Sequence, residues 1–104
     1  MAVDFRTLRV NFDATSGRTQ NEGRTATFNG RVLKAAAAIG GWDMEFTNGD
    51  HPIRKQKINI RDSDMQIRGN TVTFEVDFLL RDNSGNIDDP FKGYVDVVVI
   101  ADVA

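Results

Sequence analysis

The sequence contains no cysteine, and its 104 residues include only one histidine, one tryptophan and one tyrosine. The absence of cysteine excludes disulfides, iron–sulfur clusters, thiolate zinc sites and cysteine nucleophiles. With a single histidine as well, a zinc site would need several carboxylates. We therefore predict a domain with neither metal nor cofactor, since a chain of this length can bury one modest core without disulfides or a structural metal.

Three further absences narrow the class of protein. No apolar run approaches the ~20 residues that a membrane-spanning helix needs, and the start, Met-Ala-Val-Asp, lacks the basic and apolar regions of a signal peptide. The formal charge is −2, which argues against a nucleic acid held by bulk electrostatics. We expect no membrane and no nucleic-acid partner, and the cellular location stays open.

Glutamate and lysine, the charged residues that favour helix surfaces, are scarce. The chain has three Glu and four Lys against twelve Asp and nine Arg. This balance leans against helix and favours strands.

The alternation typical of half-buried strands is clearest over Thr71–Arg81 and Lys92–Val103. The residues predicted to face the core are Val72, Phe74, Val76, Phe78, Leu80, Val95, Val97, Val99 and Ala101. The polar segment Asp82–Pro90 is predicted to join the two strands as a wide hairpin. This pair of strands is the expected centre of the fold.

Shorter segments complete a single all-β domain spanning residues 1–104. These predicted strands are Asp4–Ala14, Arg24–Phe28, Arg31–Ile39, Trp42–Phe46, Ile53–Arg61 and Met65–Arg68. Thr15–Gly23 has no apolar residue and is predicted to be an exposed loop, whereas Gly69-Asn70 is predicted to be a two-residue hairpin turn. Because Gly40-Gly41 either breaks or only bulges one strand and Met65–Arg68 is brief, these segments amount to six or seven strands. Separated by Gly, Asn and Asp turns, they indicate a sandwich or a small barrel, and we predict the antiparallel β-sandwich.

Two segments allow two interpretations each. The run Ala35–Ala38 has helical propensity, but it is short and ends at Gly40-Gly41, so we predict a strand that breaks or bulges there. Its small side chains allow close approach of either a neighbouring sheet or another subunit. Asn29-Gly30 is either a turn or a bulge, and the choice changes the strand order.

The single histidine lies in the predicted turn Thr47–Pro52. A catalytic role would pair His51 with Asp50, but adjacent residues often point apart, and no serine has the context of a nucleophile elbow. We therefore predict that the protein is not an enzyme. His51 either belongs to a turn closed by Asp50 and Pro52, or contacts a ligand at the loop tip.

The segment Asp82–Pro90 places oxygen-bearing side chains around Gly85, as calcium loops do. They belong to Asp82, Asn83, Ser84, Asn86, Asp88 and Asp89. However, the glycine stands at the fourth place rather than the sixth, and Lys92 and Gly93 lie where a bidentate glutamate is expected. We predict no metal and interpret the segment as a hairpin loop whose side chains bond their own backbone.

The outward face of the last strand is apolar as well as its inward face. Val98 and Ile100 lie opposite the Val95–Ala101 face, and a strand that is apolar on both faces usually has both faces covered. Because no helix is expected in the domain, the predicted cover is another copy of the chain. The sequence thus favours a homo-oligomer.

The spacing of apolar positions over about the last 60 residues resembles the H-type lectin domain. The resemblance is carried by Trp42-Asp43-Met44-Glu45-Phe46, Pro52, Ile58 and Ile60, and the final Val97-Val98-Val99-Ile100-Ala101. The chain departs from the family at Val99, where an aromatic residue often stands. The resemblance implies a six-stranded antiparallel sandwich that forms trimers or multiples of trimers and binds galactose-type sugars in loops at subunit interfaces.

A shallow sugar site needs hydrogen-bonding side chains and an aromatic face against the apolar side of the sugar. The candidates are Asp50, His51 and Arg54 near one turn, and Asp82, Asn86, Asp88 and Asp89 near another, with Tyr94 or Phe91 as the aromatic partner. We expect a non-enzymatic, carbohydrate-binding homo-oligomer, a trimer or hexamer. The alternative is a structural or assembly module without a small ligand, such as a phage- or particle-associated domain.

Overall fold

The computed structural model describes residues 2–15, 18–49, 51–82 and 89–104. Its strands are β1 Ala2–Thr15, β2 Gln20–Thr27, β3 Val32–Phe46, β4 Ile53–Ile60, β5 Gln66–Arg68, β6 Thr71–Asp82 and β7 Phe91–Val103. A 3₁₀ turn, Asp62–Asp64, precedes β5. In the described part of the chain, no helix has the length and apolar character needed to cross a membrane.

The strands form two antiparallel sheets that pack face to face around one apolar core. One sheet has the order β1-β7-β3. The other has the order β2-β6-β4, and β5 pairs with β6 on the same side as β4. This architecture confirms the predicted all-β antiparallel sandwich of six to seven strands.

The predicted hairpin between β6 and β7 is wrong. β6 is the central strand of one sheet and β7 is the central strand of the other, so neither pairs with the other. Alternation predicts which face of a strand is buried but says nothing about its neighbours, and the connection between them is long enough to cross the ~10 Å between packed sheets. Residues 83–88 of that connection lie outside the described residues.

The inward faces of β6 and β7 form the core as predicted. All nine residues assigned to those faces are buried. Phe12 of β1 stacks in parallel on Phe78 of β6, with ring centroids 4.2 Å apart, and Phe91 lies beside the same ring. These aromatic contacts join the two sheets at one end of the sandwich.

Both Asn-Gly segments connect the two sheets rather than neighbouring strands of one sheet. Asn29-Gly30 is a turn, not a bulge, and it leads from β2 in one sheet to β3 in the other. Asn48-Gly49 likewise leads from β3 to β4, with Gly49 at φ +111°. Gly69-Asn70 is the predicted hairpin turn, since it joins the paired strands β5 and β6.

Two predicted segments differ markedly from the observed strands. β2 begins at Gln20, inside the predicted loop Thr15–Gly23, because an edge strand needs only its backbone to pair with β6 and can keep polar side chains. The predicted strands Arg31–Ile39 and Trp42–Phe46 are one continuous strand, β3, with a shift of register between Ile39 and Gly41. The glycine pair therefore bulges the strand without breaking it, and the alanine run is strand rather than helix.

The inner face of β3 is covered only in part. Trp42 is 54% exposed. Together with Ile39 and Ile58 it borders a shallow depression between the edge strands β3 and β4. The sandwich is therefore open along this edge.

Candidate functional site

The outer face of the β1-β7-β3 sheet has two chemically different halves. The half toward the start of β7 is polar and carries Asn11, Asp13, Asp43, Glu45, Lys92 and Tyr94, which border a groove of about 470 Å³. We call this the polar groove. The half toward the end of β7 carries Val3, Phe5, Ala36, Ala38, Val98 and Ile100, and we call it the apolar patch.

Strand pairing builds the polar groove around Tyr94. In the register of the sheet, Asn11 of β1 and Asp43 of β3 lie on either side of Tyr94. Side chains directly opposite on neighbouring antiparallel strands are close enough to interact. One aromatic ring is thereby flanked by an amide and a carboxylate.

An ion pair holds the Tyr94 ring in place. Arg9 donates two hydrogen bonds to Asp96, at 2.9 and 3.1 Å, and its guanidinium lies 3.8 Å from the centroid of the Tyr94 ring. The hydrogen bonds between them raise the pKa of Arg9 and lower that of Asp96. Both groups therefore stay charged at neutral pH, and the bidentate geometry fixes the guanidinium on the ring.

The rest of the groove offers donors and acceptors in a small space. Lys92 lies 3.6 Å from the carboxylate of Glu45, and both side chains are exposed. With Asp13 and Asp43, the groove presents three carboxylates, one ammonium and the Asn11 amide around the ring. Such a set can hydrogen-bond several hydroxyl groups of one small polar ligand.

The structure brings the two predicted ligand-binding turns together in a second cluster. His51 Nδ1 lies 3.4 Å from Asp82 Oδ2, and His51 Nε2 lies 3.6 Å from Asp89 Oδ1. Asn48 completes the cluster, since its Oδ1 lies 2.9 Å from His51 Nε2 and its amide nitrogen donates to Asp89 at 3.0 Å. The cluster links the β3–β4 connection to the residues that end β6 and precede β7.

The groups around His51 are carboxylates and an amide. Ligand atoms of His51, Asp82 and Asp89 lie within 4.8 Å of one another, a spacing that could hold a cation. The edge of Phe46 packs on the imidazole, with centroids 5.0 Å apart. The structure does not test whether this cluster binds a metal or takes part in catalysis, so the expectation that it does neither remains a prediction.

The remaining predicted site residues lie in different parts of the structure or outside its described residues. Tyr94 lies in the polar groove, away from the cluster of His51. Phe91, the alternative aromatic partner, is fully buried against Phe78. Its ring cannot contact a ligand, so the prediction that it could do so is wrong. Arg54 is exposed on β4. Asp50, Asn86 and Asp88 lie outside the described residues.

Most residues of the groove were not predicted from the sequence. Arg9, Asn11, Asp43, Glu45, Lys92 and Asp96 were not among the predicted ligand residues. Each occupies an outward position on a predicted strand, which was the available signal. Their convergence on Tyr94 became visible only when β1 and β3 were placed on either side of β7.

A buried carboxylate on the other sheet has a structural role. Asp77 is 4% exposed and accepts hydrogen bonds from Arg61 at 2.9 Å and from Asn21 at 3.0 Å. The bond from Arg61 is the main cause that lowers the pKa of Asp77, and Asn59 contributes in the same direction. Asp77 therefore stays ionised and satisfied in the middle of β6.

Comparison of the chain with protein-family models, with curated proteins and with solved structures finds no match.

Proposed function

We propose that the protein is a non-enzymatic, carbohydrate-binding β-sandwich that works as a homo-oligomer. The observation that carries the proposal is the polar groove, where one fixed aromatic ring is surrounded by hydrogen-bonding side chains. A sugar offers the matching surfaces, since its hydroxyls pair with polar groups and its C–H face packs on an aromatic ring.

Self-association fits a sugar-binding role. An open groove buries little of its ligand, so each site alone binds weakly, and repeated sites on one oligomer raise the affinity for a surface that carries many sugars. The resemblance to the H-type lectin domain favours trimers or hexamers and galactose-type sugars. The groove lies on the outer face of a sheet, whereas the resemblance implies loops, so the site proposed here is this protein's own.

The test is a glycan array followed by titration of the best sugar into three variants. Tyr94→Ala should bind about tenfold more weakly, as the loss of an aromatic contact of about 1.5 kcal/mol implies, whereas Tyr94→Phe should retain binding. Lys92→Ala should weaken binding, and Lys55→Ala, an exposed lysine on β4 of the other sheet, should not. An array without a signal above background, or Tyr94→Ala that binds as well as wild type, would refute the proposal.

A structural or assembly module without a small ligand is the second candidate, and the apolar patch favours it. The patch needs a protein partner but no sugar. An oligomer that gives no signal on the array would support this candidate over the first.

A further inference from the structure

The apolar patch exposes large side chains that a solvated sheet face does not normally show. Val3 is 75% exposed, Phe5 64% and Ile100 43%. We infer that another copy of the chain docks here, with the β1 side of one copy seated over the alanines of β3 in its neighbour. This inference rests on the self-association in the proposed function and names the surface that mediates it.

The two outer faces of the sandwich differ sharply. The outer face of the β2-β6-β4 sheet carries Thr25 and Thr73, which share a hydrogen bond of 2.9 Å, together with Glu75 and the ion pair of the buried Asp77 with the partly exposed Arg61. The two threonines and the two members of the ion pair thus already have polar partners. The apolar patch has no such groups at its centre, so it is the outer face that gains from being covered.

The patch is shaped to fit a second copy of itself. Across the sheet, Phe5, Ile100 and Ala36 form one row of neighbours, and Thr7, Val98 and Ala38 form the next. Large side chains therefore project from the sheet on the β1 side, whereas the short alanine side chains leave the surface lower on the β3 side. A shallow depression of about 330 Å³ crosses the sheet at this end of the patch, bordered by Val3 of β1, Ile100 of β7, and Lys34 and Ala36 of β3.

This asymmetry decides how two copies meet. When β1 of one copy lies over β3 of the other, Phe5 fills the space above Ala36 and both surfaces keep close contact. When like strands face each other, the Phe5 side chains collide and the alanines face a gap, which forfeits van der Waals contact. A two-fold pair and a closed ring can both repeat the first arrangement.

Size and charge permit the contact. The patch takes up about half of one broad face of a molecule that measures 51 × 20 × 18 Å, so it can supply roughly 500 Å² per partner, near the lower limit for a specific interface. Lys34 and Asp102, cross-strand neighbours of opposite charge, lie at the border of the patch, where polar groups can stay solvated. Tyr94 is six residues from Ile100 along β7, or about 20 Å, so the groove lies beyond the apolar patch on the same face.

Cysteine cross-linking can test the arrangement cleanly, because the chain has no cysteine of its own. The variants Thr7→Cys and Ala38→Cys alter the patch little, and one of them carries a size tag. Oxidation of their mixture should give mainly the mixed disulfide dimer. Thr25→Cys, on the opposite outer face, should give none with Ala38→Cys. Dimers joined mainly through two copies of Thr7→Cys would overturn the inference.

Sedimentation with a matched pair of substitutions tests the patch independently. Ile100→Asp should convert the oligomer to monomer, whereas Ile67→Asp, at an isoleucine of nearly equal exposure (42%) on β5, should not. Circular dichroism checks that both variants fold. An oligomer that survives Ile100→Asp overturns the inference but leaves self-association intact. A monomeric wild type overturns both, and glycan binding is measured separately from either.

Discussion

At the scale of single residues, Gly93 shows how closely β7 and β3 approach. It lies opposite Met44 in the sheet, and a Cβ built at this position would overlap the carbonyl oxygen of Asp43 and lie 3.0 Å from the Phe78 ring. No flexible side chain can move aside, because the main obstacle is backbone. The glycine therefore sets the spacing of the strands beneath the polar groove.

We predict that Gly93→Ala destabilises the protein by about 1–3 kcal/mol, because the added methyl group overpacks a filled site. Urea denaturation followed by circular dichroism measures the loss. Gly41→Ala is the control, since a Cβ there meets no atom within 4 Å, and its effect should stay within about 0.5 kcal/mol. Equal stabilities of the two variants would contradict the close approach.

At the scale of strands, Asp77 ties three segments of one sheet together. It receives hydrogen bonds from Asn21 on β2 and from Asn59 and Arg61 at the end of β4. Its pKa is lowered in the folded protein, so its contribution to stability is complete above the pKa of the unfolded chain. That contribution disappears as the pH falls through the folded value.

We therefore expect the wild type to lose stability as the pH falls below about 4, the ordinary range of an aspartate pKa. Asp77→Asn should be less stable at pH 7, by about 1–3 kcal/mol for a broken buried hydrogen-bond set, and should lose less between pH 5 and pH 3. Thermal melts across this range give both curves. The remaining slope belongs to groups such as Asp4 and Asp96, whose pKa values are also lowered. Parallel curves for variant and wild type would refute the role of Asp77.

The sequence predicts which face of a strand is buried better than it predicts which strands pair. The alternation over β6 and β7 is a property of each strand alone, and it identified the buried residues correctly. Which strands pair depends on the rest of the chain, and the segment between Asp82 and Pro90 is long enough either to turn back or to cross. Gly69-Asn70 was predictable because two residues between strands can only turn back.

Because strand pairing could not be predicted, the candidate site could be predicted only in part. Tyr94 was found because its own strand places it outward, but Asn11 and Asp43 lie on two other strands that only the topology brings beside it. Phe91 could have been excluded in advance, since it has the phase of Val95 and Val97 and therefore faces inward. His51 and Asp89 were both candidates, yet nothing in the sequence pattern joined their two turns.

At the scale of the whole molecule, the sandwich is elongated. Its radius of gyration is 15.7 Å, against about 13 Å for a compact domain of this length. The length separates the polar groove from the apolar patch on one face, so a substitution in one of them leaves the side chains of the other unchanged. An oligomer would carry one groove on each of its copies.

This separation predicts different effects of Ile100→Asp on two binding measurements. Calorimetry with a free sugar should give the same affinity for the variant and the wild type, because each groove is unchanged. On a surface densely coated with the same sugar, the variant should bind about 100-fold more weakly, because a monomer loses the gain from simultaneous contacts. Ile67→Asp should match the wild type in both assays. If Ile100→Asp weakened the binding of free sugar, the groove and the patch would be coupled, and their independence on this face would be disproved.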